Sequence, residues 1–387
     1  MSVKVSHGTP VYFLTSPPEK PTPSPPAELI AEEVTYADRS ILVTVPFPDT
    51  IELTADVLNA HLTSPYSTGG KATKIYKQID QDLKAFAKAT KAGETLMSEK
   101  PFVTGGESKT RIVFDIAYDE KQPLHRARLT LARSPGTDFG SWSVRFEFSA
   151  SKAQAAGLVQ LSAAFELALP FSFSAMLPDF RVSRIDPAID LIGIRPLDLI
   201  AHVKNPGKRL VYMGDDGQPE SLYLYERKKP LQEPPASLSY NTLGTLRLKL
   251  YERRSYFLQL KLDPPYGDCP VTRAEVELRW KKKQQRPRLA DLGEIQNALA
   301  GRRVAYAAKL ADDLKRPKDW IAFCLAAFGG GLATARQKWP VGAGLGHHAR
   351  YSDCEGDLVS PSRWDRWSDG LTYTGLDKWI KAAQASG

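Results

Sequence analysis

Three segments of this chain, Arg111–Tyr118 (RIVFDIAY), Arg126–Arg133 (RARLTLAR) and Trp142–Phe148 (WSVRFEF), alternate apolar and polar residues with a period of two. Successive side chains of a strand point to opposite faces, so each segment offers one face to a core and the other to water. Three in succession predict an antiparallel meander. Ser40–Pro46 (SILVTVP) reads as an earlier strand, and Ala153–Leu169, after the capping residues of Ser149–Lys152, as a helix packed on the sheet. Leu53–Leu62 has the apolar spacing of a short helix, and Ile75, Ile79, Leu83 and Phe86 make Lys71–Ala92 an amphipathic one.

The second half repeats this alternation. Phe180–Leu191, Ser221–Tyr225, Thr245–Arg253, Phe257–Leu262 and Val271–Trp280 read as strands, with Leu197–His202 as a short helix between the first two. The expected fold class is therefore α+β, with two antiparallel-sheet modules of similar make-up that could be two copies of one unit. Beyond Leu292 the composition turns helical: Ile295–Lys315 is rich in Ala, Leu, Arg and Lys, and Trp320–Phe328 and Leu376–Ala385 follow. Residues 17–26 (PPEKPTPSPP) hold six prolines, too many missing donors for a helix or central strand. The expected division is a proline-rich N-terminal segment (1–30), a first module (31–170), a second module (171–290) and a helical C-terminal region (291–387).

With 42% hydrophobic and 25% charged residues, the 387-residue chain has material for a packed core and is not a disordered or fibrous sequence. Three cysteines, none in a CxxC pair, point to a reducing, cytoplasmic setting. No apolar stretch follows a basic start at the N-terminus. The most apolar segment, Trp320–Ala335, is broken by three glycines and is shorter than the roughly 20 residues that span a bilayer, so no membrane partner is expected. The net charge of +8 permits an anionic partner, and its placement matters more than its size. None of the six histidines has metal-binding spacing, the glycine runs lack a phosphate-loop context, and no GxSxG disposes a serine nucleophile.

Three strands carry candidate chemistry. In Ser183–Asp190 (SRIDPAID), strand parity puts Arg184, Asp186 and Asp190 on one face, where two carboxylates beside an arginine could hold a divalent cation against a phosphate, or form a solvated charged face. Pro187 removes a ladder donor and predicts an edge strand or a bulge. In Val271–Lys283, Arg273, Glu275, Glu277 and Arg279 share a face, as a phosphate-facing set or as mutually paired surface charge, and Lys281, Lys282 and Lys283 open a basic run to Arg288. In Thr245–Arg253, Arg247, Lys249, Tyr251 and Arg253 project together, and neighbouring positive charge favours a phenolate nucleophile. Tyr223 and Tyr225, in SLYLYERKK, form a less complete version. Near the C-terminus, Arg363, Trp364, Arg366 and Trp367 read either as core or as a phosphate-contacting, base-stacking set.

In this order, SRIDPAID, LKLYER (Leu248–Arg253) and TRAEVELR (Thr272–Arg279) resemble the trans-acting replication initiation factor family of rolling-circle initiators and related conjugative relaxases. WSVRFEFSASK (Trp142–Lys152) is similar to that family's strand-to-helix entry. The resemblance covers roughly residues 140–285 through short motifs whose strength is their order. It implies a duplicated fold related to the His-hydrophobic-His nucleases and a metal-dependent tyrosine transesterification that nicks and rejoins origin DNA through a 5′-phosphotyrosyl link. By motif position, Tyr251 is the implied nucleophile, with Tyr225 in the adjacent LYER as the alternative; Asp186, Asp190 and Glu275 are the implied ligands of Mg²⁺ or Mn²⁺. Arg184, Arg247, Lys249, Arg273, Arg279 and Lys281–Lys283 would contact DNA. Expected partners are single-stranded or supercoiled origin DNA, a host helicase and a second copy of the chain. The alternative is a non-catalytic DNA-binding regulator of replication or transcription on the same scaffold.

Overall fold

A computed structural model describes residues 31–36, 39–63, 81, 97–104, 110–117, 126–133, 142–169, 171–203, 206–213, 219–226, 247–254, 257, 264, 266–306 and 355–386. The strands of the first half are β1 (Ala31–Tyr36), β2 (Arg39–Thr44), β3 (Phe47–Asp56), β4 (Met97–Thr104), β5 (Thr110–Ala117), β6 (Arg126–Arg133) and β7 (Trp142–Ser149). Helices α1 (Ala150–Ala168) and α2 (Phe173–Met176) follow. The second half supplies β8 (Arg181–Ile192), β9 (Leu199–Val203), β10 (Pro206–Met213), β11 (Pro219–Glu226), β12 (Arg247–Glu252) and β13 (Val271–Arg279). After these come β14 (Arg302–Tyr306), β15 (Glu355–Asp357), α3 (Pro361–Trp364), α4 (Trp367–Thr374) and α5 (Leu376–Ser386). The molecule is thus mixed helix and antiparallel sheet with a C-terminal helical region.

Both halves join one sheet, ordered β10-β11-β12-β13-β8-β3-β7-β6-β5-β4, with β1 and β2 attached beside β8. Read outward from the central β3–β8 pair, the order is the same on both sides. A first strand pairs with the last strand of a four-strand meander: β3 with β7 of β4–β7, and β8 with β13 of β10–β13. The central antiparallel ladder has a local two-fold at the pair Ile51↔Ile185. Two register skips agree with this placement, because Asp49 on β3 and Ser183 on β8 are each left unpaired two residues before their isoleucine. The two halves are related as copies by strand order and by the position of these bulges.

The apolar face of the sheet holds Ile51, Leu53, Phe146, Phe148, Ile185 and Val276, all essentially without exposure. Helix α1 covers the first copy with Phe165, whose ring lies 6.0 Å from Phe146, and Trp379 of α5 packs on Phe148 at 5.6 Å. Each fully buried aromatic or branched side chain contributes roughly 1.5–3 kcal/mol. Helix α4 lies against the start of β3 at Gly370, where a Cβ would fall 1.9 Å from the carbonyl oxygen of Pro46, so only glycine permits this approach.

Several expectations are corrected. Leu53–Leu62 continues strand β3 and ends in a 3-10 turn at Asn59–His61, because IELTAD alternates with period two at the sheet centre. Leu197–His202 is a 3-10 turn (Pro196–Asp198) leading into β9, which pairs with β14 in a small second sheet. Arg302–Tyr306, expected to be helical, is β14; its pairing with β9 and β15 overrides the composition. Arg253, Arg254 and Phe257 have helical backbone rather than a new strand. Pro187 is on no edge: β8 is central, and Pro187 faces Pro48 of β3 beside the Asp49 skip, so two residues without N–H groups oppose each other. The Trp364 and Trp367 rings stack at 5.1 Å, and their indoles donate to the carbonyls of Ile295 and Leu292, both at 3.1 Å, as core and not as a base-stacking platform. Arg363 is buried, and Arg366 pairs with Glu32 and Asp369. The helices expected over Lys71–Ala92 and Trp320–Phe328 lie outside the described residues apart from Gln81. Among the described residues, no helix is long and apolar enough to cross a membrane.

Candidate active site

The polar face of the second copy is assembled by register. Asp190 stands opposite Arg273, Ala188 opposite Glu275 and Arg184 opposite Arg279; Glu275 is opposite Lys249, and Arg273 opposite Tyr251. Paired residues share a face, so Asp186, Asp190, Glu275 and Tyr251 lie together on one side of β8, β13 and β12. Strand parity alone places them correctly because the Ser183 skip precedes Arg184 and leaves Arg184–Asp190 in phase.

This face is neither solvated nor simply basic. Asp186 is 0% exposed and Asp190 1%, and each carboxylate is matched by a cation of its own. Arg184 holds Asp186 with Nε on Oδ1 at 2.9 Å and Nη2 on Oδ2 at 2.5 Å, and its Nη1 reaches Glu147 at 3.0 Å. Arg273 holds Asp190 in the same two-pronged way and donates from Nη1 to Asp49 at 2.5 Å, with the Phe47 ring 4.9 Å below its guanidinium. Lys249 donates to Glu275, and its Nζ stands 3.6 Å from Asp186. The Tyr251 hydroxyl donates to Glu275 Oε2 at 3.1 Å. Ser151, at the start of α1, donates to Asp49 at 2.5 Å, closing the site on that side.

Burial pushes the Glu275 carboxyl up to about 7, with Asp49 adding to the rise and Lys249 opposing it. Burial also raises the Asp186 pKa from its ordinary value, against Arg184 and Lys249. Asp49 moves the other way: burial would raise it, but Arg273 and Arg253 hold it below the usual range. The expectation that flanking cations favour a Tyr251 phenolate is corrected. Burial first, then Glu275 and Asp49, raise its pKa well above the ordinary 10, and Arg273 and Arg253 do not offset them. Glu275, with its pKa raised to about 7 and at hydrogen-bond distance, can accept the phenolic proton.

The cations expected to meet DNA divide. Arg184, Lys249 and Arg273 are engaged by carboxylates, Arg279 pairs with Glu277 and Lys283 with Asp56, while Lys281 and Lys282 are exposed. Arg247 and Tyr225 are opposite each other at the β11–β12 ladder, and their side chains lie outside the described residues. Buried Arg253, 3.9 Å from Asp190, has an Nε with no hydrogen-bond partner among the described residues, a spare donor beside Tyr251.

A divalent ion shared by Asp186, Asp190 and Glu275 does not fit this arrangement. The Lys249 ammonium sits between Asp186 and Glu275, Arg273 covers Asp190, and among the described residues no group of three His, Cys, Asp or Glu side chains is placed to hold a metal ion. Sequence reasoning missed Asp49, Ser151 and Tyr266, whose hydroxyl donates to Asp190 Oδ2 at 3.4 Å. The first lies before a segment read as helix, and the other two arrive from a helix start and a turn. No family model and no curated protein matches this chain.

Proposed function

We propose that the protein nicks and rejoins a DNA strand by tyrosine transesterification, in the manner of a rolling-circle replication initiator. The observation that carries this reading is the hydrogen bond from Tyr251 to Glu275, a base of pKa about 7, on a face shared with Lys249 and Arg253. In the step, Glu275 takes the phenolic proton as Tyr251 Oη bonds to phosphorus. The P–O3′ bond breaks, leaving a 5′-phosphotyrosyl link and, once protonated, a free 3′-hydroxyl. Arg253, whose Nε has no hydrogen-bond partner among the described residues, supplies positive charge for the non-bridging oxygens as the phosphorus becomes five-coordinate. Reversal with the 3′-hydroxyl as nucleophile rejoins the strand.

Mg²⁺ or Mn²⁺ enters only through the family resemblance, and no step here is routed through it. Incubation with supercoiled plasmid bearing the cognate origin, with and without each ion, tests the reading. Nicked circles and a covalent protein–DNA adduct, both absent in Tyr251→Phe, are expected. Nicking that survives Tyr251→Phe removes the assignment, and Tyr225→Phe is its control.

A second reading is favoured by the same geometry: with Tyr251 raised above its ordinary pKa and both aspartates fully paired, the site can be a structural ion network in a DNA-binding regulator. Origin binding without any adduct, even on single-stranded oligonucleotides, identifies that case.

A further inference from the structure

The polar face carries a second cleft, and the internal duplication identifies it. Superposing the copies at Ile51 and Ile185 sets Glu52 on Asp186 and Asp56 on Asp190. Following the ladders outward, Arg145 takes the place of Glu275, Thr130 that of Lys249, and Ala132 that of Tyr251. Glu52, Asp56, Thr130, Ala132 and Arg145 all line one cleft of about 600 Å³. It is the counterpart of the Tyr251 site, with the tyrosine reduced to a methyl group and the base exchanged for a guanidinium. It cannot run the tyrosine chemistry.

The covers differ too. After β7 the chain enters α1, whose Ser151 closes over the Tyr251 site. After β13 it enters the KKKQQRPR turn, which brings Lys281, Lys283 and Arg286 to the cleft. Arg145 is paired with Glu52 and Lys283 with Asp56. Among the described residues, Arg181, Lys281 and Arg286 of this cleft have no carboxylate within 4.0 Å. Arg181 donates to the Arg286 carbonyl at 3.2 Å, and Arg286 to the Trp280 carbonyl at 3.2 Å and the Thr54 hydroxyl at 3.0 Å. Neutral acceptors therefore fix both guanidiniums without cancelling their charge. Burial lowers the Arg286 pKa, with Arg145 adding to the fall and Glu52 and Asp56 opposing it.

We propose that this cleft binds the sugar-phosphate backbone of a single nucleic-acid strand without cutting it. The inference rests on the nucleic-acid part of the reading above and not on Tyr251 chemistry. Three cations with no carboxylate within 4.0 Å, set against the single further carboxylate of the lining, Asp179, which pairs with His61, suit consecutive phosphates, and the space left at Ala132 takes a sugar or base of one strand.

The test is fluorescence anisotropy of a labelled, mixed-sequence single-stranded oligonucleotide against salt, in EDTA, with full-length wild type and Tyr251→Phe. Combined Arg181→Gln, Lys281→Gln and Arg286→Gln should weaken binding about tenfold or more and reduce the salt slope by about 2, at about 0.7 per phosphate contact. A folded triple variant with unchanged affinity and slope overturns the proposal. Since Arg181 and Arg286 also brace the turn, Lys281→Glu at an exposed position is the second variant, expected to weaken binding several-fold. Photo-crosslinking of an iodouracil-substituted strand should label peptides containing Ala132, Arg145 or Lys281–Arg286; labelling confined to other peptides overturns it. Displacement by a mononucleotide as effective as by oligonucleotide at equal phosphate would assign the cleft to a free nucleotide instead. Nicking with no labelling here would sink this site alone, and labelling here with no adduct would sink only the chemistry.

Discussion

Arg273 grips Asp190 with two parallel hydrogen bonds, Nε to Oδ1 at 2.7 Å and Nη2 to Oδ2 at 2.8 Å, linking the start of β13 to the end of β8. Both side chains are almost wholly buried, and the third guanidinium nitrogen turns to Asp49 on β3. One arginine thereby ties three strands, two from the second copy and one from the first, beneath Tyr251. A buried charge of this kind is costly unless fully paired, so the geometry of the site and the integrity of the sheet are linked.

Arg273→Met should destabilise the protein by about 3–5 kcal/mol, because it leaves Asp190 and Asp49 buried without their cation. Arg273→Lys should recover only part of this, since an ammonium cannot make the two-pronged contact. Denaturant unfolding of the three proteins measures both.

Tyr251→Phe should abolish the covalent adduct while leaving stability within about 1 kcal/mol of wild type, the ordinary worth of the single lost hydrogen bond. Mass spectrometry of the origin-treated protein and a thermal melt read the two effects separately. A loss of folding here would instead make Tyr251 a structural residue.

Glu275 gives a pH dependence of definite sign. Its folded pKa of about 7 lies above the ordinary 4.5, so the folded state holds the proton more tightly. Its contribution to stability is fully present below about 4.5 and is lost as pH rises through about 7, at roughly 1.4 kcal/mol for each pH step of one across that interval. Glu275→Gln should flatten the stability profile across that window. It should also remove the limb near pH 7 from the nicking rate.

Gly370→Ala should cost about 1–3 kcal/mol by overpacking, since the added methyl would collide with the Pro46 carbonyl and push α4 off β3. Unfolding midpoints of the two proteins test this, and an unchanged midpoint would mean that α4 can move without penalty.

Much of the second copy is legible in the sequence because its information is local. Period-two alternation in RIDPAID and VTRAEVELR shows which side chains share a face, and over these residues that parity survives in the sheet. Leu53–Leu62 reads as helix because its apolar residues also satisfy a spacing of three to four, and only pairing with β7 and β8 makes its first residues, Leu53–Asp56, a continuation of the strand. The helical reading hides the place of Asp56 at the end of β3. It also hides the agreement between Glu52–Asp56 and Asp186–Asp190, two carboxylates with the same spacing at equivalent places in the two copies.

The sequence by itself determined the α+β class, the strand faces and the types of residue that could do chemistry, because side-chain direction in a strand follows from covalent geometry. Tertiary structure alone decided which charges cancel. Lys249 could have faced a phosphate, but the register of β12 on β13 sets it against Glu275. Tyr251 has cationic neighbours along its own strand, yet burial and a carboxylate on the next strand govern its proton. Arg181 and Arg286, more than a hundred residues apart, meet over the open cleft of the other copy. Burial and long-range pairing are set by the whole sheet, and no short stretch of sequence encodes them.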